Sequence, residues 1–274
     1  MHKEPTLPFK NIGQGPAVVL IHDLPLTAEI WNEQIEPLQS AGFRVILPDF
    51  SQCREHNTIS DYSLSIVRLL NRLGLRRFAA CGMGMGGAIL FDLLERHPER
   101  IAGACFISTR PVQDDVQERA RRAELINDLT QNGGRDARNQ LVDMLFAGRE
   151  DQLPEHLVIS VRRMVDNYDR DALISGLKAM INRRDYTRLL DTLHMPTLVV
   201  GGEHDSICHP HHLSIMAGKL PRCLGSDRLD GGHLLSLELP QELSRKLVGF
   251  FRSIAPRRNQ TPEEKPEDLA LAGC

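Results

Sequence analysis

The sequence predicts an α/β chain: a mostly parallel central sheet flanked by helices, with a helical insertion. Three observations predict it. Short apolar runs alternate with longer helical patterns, as they do in βαβ units. That alternation stops between Pro111 and Leu193, where helical patterns follow one another without a strand. The chain has 274 residues, 41% hydrophobic and 25% charged, enough to bury one full core.

In chain order, Ala17 to Ile21 reads as a buried strand, Thr27 to Ser40 as a helix and Phe43 to Leu47 as the next strand. Ile59, Tyr62, Leu64, Ile66, Val67, Leu69 and Leu70 fall at helical spacing, which predicts a helix from Thr58 to Leu73 with Ser60 or Asp61 as its cap. Strand Arg77 to Cys81, a glycine-rich turn, helix Gly87 to His97 and strand Ile101 to Ile107 follow. The stretch 111–193 breaks at Gly133-Gly134, at Leu153-Pro154 and near Asn167. A crossover needs one helix, so several in succession are read as a cap. Strand Thr197 to Val200 resumes the sheet, followed by a helix from Pro210, a short strand Leu224 to Leu229 and a last helix Gln241 to Ile254. The expected division is a core of 1–110 and 194–255, a cap of 111–193 and a disordered, proline-rich polar tail of 256–274.

The net charge of -3, with signs interspersed, offers no basic stripe for nucleic acid or an anionic membrane. No apolar run reaches the ~20 residues that span a bilayer, and Met1 to Pro5 lacks the apolar stretch of a signal peptide. The expectation is a cytoplasmic protein with a small-molecule ligand or substrate. Cys53, Cys81, Cys105, Cys208, Cys223 and Cys274 show no C-x-x-C spacing, so neither a disulfide framework nor a zinc ribbon is expected. Cys53 and Cys274 lie in polar segments and are the candidates for exposed thiols. Cys208, His209, His211 and His212, with His204 nearby, are read as a solvated helix start rather than a metal site.

The chemistry-bearing segment is Gly82-Met83-Gly84-Met85-Gly86-Gly87, between a strand and a helix. It is neither a Walker loop with its lysine nor a clean G-x-G-x-x-G, so no nucleotide cofactor is expected. Three other segments accompany it: Ile21-His22-Asp23-Leu24-Pro25-Leu26 after the first strand, with Trp31 beyond it; Gly201-Gly202-Glu203-His204-Asp205; and Asp230-Gly231-Gly232-His233, followed by Glu238-Leu239-Pro240. Over about residues 16 to 254 these resemble the α/β-hydrolase family: its G-x-S-x-G nucleophile elbow, H-G-x-P oxyanion loop, acid turn and histidine turn, in that order. Ala179, Met180, Arg183, Asp185 and Leu190 resemble the cap ending of its enol-lactonase-like small ester, lactone and amide hydrolases. The resemblance implies an acid at Asp205, a base at His233, oxyanion donors at the N–H groups of Leu24 and Met85, and a pocket wall that includes Asp23, Trp31 and Met83.

The sequence departs from the family at three places. Gly84 stands where the nucleophilic serine belongs. Within the turn nothing replaces it: Cys81 lies inside the strand, and Met83 and Met85 cannot attack. Asp23 replaces the glycine of the oxyanion loop, where a carboxylate would repel a developing oxyanion. Ser51 to His56 replaces the usual glycine- and arginine-containing turn after Asp49. The expected function is a non-hydrolytic ligand-binding or regulatory pseudoenzyme. The alternatives are an enzyme using His233 and Asp205 as a general base, or an ordinary serine hydrolase if Gly84 is a substituted position.

Overall fold

The computed structural model describes residues 7–255; the expected disordered tail, with Cys274, lies outside them. The elements run β1 (Phe9–Ile12), β2 (Ala17–Ile21), α1 (Asn32–Ser40), β3 (Arg44–Pro48), α2 (Ile59–Arg72), β4 (Phe78–Met83), α3 (Met85–Arg96) and β5 (Ile101–Ile107). Four helices follow, α4 (Val116–Gln131), α5 (Arg135–Phe146), α6 (Glu155–Asn167) and α7 (Arg170–Ile181). The chain then returns through β6 (Thr197–Gly202), α8 (His211–Lys219), β7 (Cys223–Leu229), α9 (Leu235–Glu238) and α10 (Pro240–Ile254).

The strands form one sheet in the order β1-β3-β2-β4-β5-β6-β7. Among the described strands only β1 is antiparallel, paired with β3 through Phe9 opposite Pro48; the other pairings are parallel. A sheet covered on both faces needs continuous apolar strands. Val18, Leu20, Val45 and Leu47 pack into one core with Leu243, Leu247 and Phe251 of α10, whereas Val19, Ile21 and Ile46 pack into another with Tyr62, Ile66, Ile89 and Leu93 of α2 and α3. Full burial of such a side chain contributes ~1.5–3 kcal/mol. A third cluster, with Leu125, Leu129, Leu141, Leu173 and Leu177, ties α4, α5 and α7 together.

Helix α2 starts two to three residues earlier than Ser60 or Asp61 would allow as caps. Thr58 is the cap: its hydroxyl accepts from the Asp61 N–H while the Asp61 carboxylate accepts from the Thr58 N–H. Cys53 is buried, not exposed, and burial together with the nearby Asp49 charge pushes its thiol up to about 12, so it does not supply a thiolate near neutral pH. Among the described residues no helix is long and apolar enough to cross a membrane.

Candidate functional site

Strand β4 runs directly into α3 through Gly84, whose φ of 52° and ψ of -117° lie where a side chain is strained. The turn is held from outside: the Thr109 hydroxyl donates to the Gly84 carbonyl at 2.8 Å, and the Gly84 N–H donates to the Ile107 carbonyl at 3.2 Å. Gly86 is needed for close approach, since a Cβ there would lie 2.2 Å from the Ile21 carbonyl oxygen. The elbow is therefore pressed against the end of β2, and the residues that follow β2 reach over it.

His22 aims that segment. Its Nδ1 donates to the Asp23 carbonyl at 2.9 Å and its Nε2 accepts from the Phe50 N–H at 2.9 Å, which fixes one tautomer. Burial holds His22 below its ordinary pKa against the opposing charge of Asp49, consistent with a neutral ring.

The Asp23 carboxylate then enters the space beside Gly84. Its Oδ1 accepts from the Met85 N–H at 2.5 Å, at the N-terminus of α3, where the helix dipole favours an anion. Its Oδ2 lies 3.0 Å from His233 Nε2. On the other side of the ring, His233 Nδ1 is 3.0 and 2.9 Å from the two oxygens of Asp205. Asp205 also accepts from the N–H groups of Ile207 and Cys208, at 2.9 and 2.8 Å. All three side chains are buried.

Electrostatics follow from this arrangement. Burial opposes a charge on His233, but Asp205 and then Asp23 outweigh it and lift the imidazole to about 10. Burial likewise opposes the Asp205 carboxylate, which its bonds to His233, Cys208 and Ile207 nonetheless hold below the ordinary range. The direction of the shift favours the protonated ring of His233, held between the Asp205 and Asp23 side chains.

Glu238 fastens the histidine turn. It accepts from the N–H groups of Gly232 and Leu234 at 2.7 and 3.1 Å and pairs with Arg149 at 2.9 Å.

A cavity opens at Gly84, lined by Asp23, Leu24, Met85 and His233 and also by Arg110, Arg122 and Arg183. It has room for about 60 Å³, which suits only a small molecule. Trp31 and Met83, expected in its wall, are not there: both are fully buried in the core shared with α10, because alternation along β4 turns Met83 to that face of the sheet. Of the residues expected from the sequence, His233, Asp205, Gly84, Asp23 and Met85 come together here. Leu24 lines the cavity with them.

Sequence reading missed three features. Asp23 stands in the place of the elbow side chain instead of merely beside the oxyanion hole. Arg183 was named only as part of the cap-ending resemblance, and nothing local marked Arg110 or Arg122 as its neighbours. Ser108 also lines the cavity; its φ of 44° is unusual for a side-chain-bearing residue, and its buried hydroxyl makes no hydrogen bond, so no base activates it. Among the described residues, no three His, Cys, Asp or Glu side chains gather as metal ligands, and His204 pairs with Asp230 instead.

The family model for the alpha/beta hydrolase fold matches residues 16–240. The chain belongs to the α/β-hydrolase family. Among solved α/β-hydrolase structures it is similar to a thermophilic esterase from Thermogutta terrifontis with malate bound, at a TM-score of 0.84 and 25% identity, covering 91% of this chain and 94% of that one. The enol-lactonase from Burkholderia xenovorans LB400 shares the fold at a TM-score of 0.80 and 20% identity, covering 90% and 96%. Among curated proteins, "Bifunctional epoxide hydrolase 2" of Sus scrofa is 25% identical over 94% of this chain but only 55% of its own length. This α/β-hydrolase chain thus spans about half of that relative.

Proposed function

We propose that this α/β-hydrolase is a hydrolase of small strained electrophiles, epoxides foremost, in which the Asp23 carboxylate does the work of the missing elbow serine. One observation carries the reading: Asp23 fills the space beside Gly84, with one oxygen on the Met85 N–H and the other at His233 Nε2. The pseudoenzyme expectation assumed that nothing could replace the serine, and a carboxylate brought in from the oxyanion loop removes that premise.

The steps balance. Asp23 Oδ2 attacks a ring carbon of the epoxide, a C–O bond forms, and the ring C–O bond breaks. Its electron pair goes to the departing oxygen, which takes the proton of His233. The product is an ester on Asp23 and a neutral imidazole. With the Asp23 charge gone, one of the two causes that raised His233 is gone too, so its pKa falls and the ring that gave up its proton stays neutral, with a lone pair free to act as the base. It accepts a proton from water attacking the ester carbonyl, while the Met85 N–H faces the oxyanion. Collapse expels the diol oxygen, which takes the remaining proton of the added hydroxyl, so the Asp23 carboxylate and the diol are formed while His233 keeps the proton it took from water. The relationship to an epoxide hydrolase and the protonated state of His233, which supplies the acid that ring opening needs, favour epoxides over esters.

Turnover in ¹⁸O-water tests this. A small terminal epoxide should leave solvent oxygen in the Asp23 carboxylate, read by mass spectrometry of the peptide, and Asp23→Asn should lower turnover by about 10³-fold or more. No label in the carboxylate and no loss in Asp23→Asn would overturn it. A ligand-binding protein with a silenced centre is the second reading. It is favoured by the same ion pairing, which denies His233 a free lone pair near neutral pH.

A further inference from the structure

We infer that Arg110, Arg122 and Arg183 form a binding arm for a single carboxylate group on the molecule that this cavity accepts. The inference concerns recognition and stands whether or not Asp23 reacts.

Asp114 is the hub of the arm. Its buried carboxylate accepts from Arg122 Nε at 2.6 Å, Arg183 Nη2 at 2.8 Å and Arg110 Nη2 at 3.2 Å. Arg110 has a second partner in Glu118. Three guanidinium groups against two carboxylates leave one positive charge, and a carboxylate ligand would neutralise it without excess. Arg183 has only 4% of its side chain exposed, and its Nε has no hydrogen-bond partner. An unpaired N–H on a buried cation costs free energy unless a ligand meets it. Burial, with Arg110 and Arg122 beside it, presses Arg183 down to about 10 against the pull of Asp114, as expected where positive charge is under-compensated.

The cavity also sets the orientation. The same cavity is lined by Asp23 and by His233, whose ring lies between the Asp23 and Asp205 side chains. An anionic group is repelled there and drawn to the arginines. Leu141, Met144, Leu145 and Met180 line the wall as well. The fitting ligand is short, with a carboxylate at one end and an apolar body that reaches toward Asp23.

Isothermal titration and thermal melts of the whole protein test the arm with propionate, lactate and glycidate, each against its own amide. The acids should bind and raise the melting temperature, and the amides should bind about tenfold or more weakly. Arg122→Gln should weaken the acids by a similar factor and leave the amides unchanged. Asp114→Asn, which raises the surplus charge to two, should strengthen them. Should these variants not fold, acid against amide on the parent protein still decides. Equal binding of acids and amides, or none in the millimolar range, overturns the inference. Asp23→Asn keeps the two proposals apart: it should abolish ¹⁸O labelling yet keep or improve carboxylate binding, so either can fail alone.

Discussion

A Cβ built on Gly84 would lie 2.1 Å from the Asp23 carboxyl carbon, so at the scale of single residues the two departures are one exchange. A side chain at the elbow and a carboxylate at position 23 cannot coexist in this geometry. Gly84→Ser alone should therefore be the poorest of the variants: the serine must displace Asp23 from Met85 and His233, and overpacking of this kind costs ~1–3 kcal/mol. Gly84→Ser with Asp23→Gly removes the clash and restores a hydroxyl within the elbow, facing His233. Thermal melts should rank the parent first, the double variant next and the single variant last. Hydrolysis of p-nitrophenyl acetate should rise only in the double variant. A single variant as stable as the parent would show that Asp23 does not occupy the space beside Gly84.

Among the elements, the segment between β7 and α9 has the most exacting task, since it must hold His233 against two carboxylates from two other loops. Glu238 meets two backbone N–H groups of that segment and is nearly buried, so Glu238→Ala would leave Gly232 and Leu234 unpaired. A cost of about 2 kcal/mol in urea unfolding is expected, with Glu238→Gln losing less because its amide oxygen still accepts. A larger loss of turnover than of stability would separate displacement of His233 from simple unfolding. Helix α3 has a comparable role. Its first N–H, that of Met85, meets the Asp23 carboxylate, so the element that normally faces an oxyanion here faces a resident anion.

For the whole molecule, the buried imidazolium links stability to pH. His233 is raised from 6.5 to about 10, so the folded state binds its proton more tightly than the unfolded chain. That contribution is fully present below about 6.5 and is lost as pH rises through about 10. Asp205 is held below its ordinary 3.8, so its contribution is present above that value and lost as pH falls through the folded value. Melting temperature should show a plateau near neutral pH and fall on both sides. In Asp23→Asn the alkaline fall should move to lower pH, because one cause of the raised value is gone. An alkaline limb unchanged in that variant would show that Asp23 does not interact with His233.

Apolar runs at strand length placed β2 to β6, the breaks at Gly133-Gly134 and Leu153-Pro154 fall between the helices that form there, and Asn167 closes α6. Local pattern suffices for such elements, because burial on both faces of a parallel sheet leaves an apolar signature in the strand itself. Strand β1 was not legible: Phe9 to Ile12 is largely exposed, with only the edge pairing to β3 to define it. Motif order likewise brought Asp205, His233 and Gly84 to one place. The sequence by itself determined the family, the sheet and the turns that carry Asp205 and His233, since each is written in a contiguous segment. Only the tertiary structure decided that Asp23 fills the place of the serine, that Trp31 and Met83 belong to the core, and that Arg110, Arg122 and Arg183 meet around Asp114. Those outcomes depend on distances between segments far apart in the chain, which periodicity and spacing do not encode.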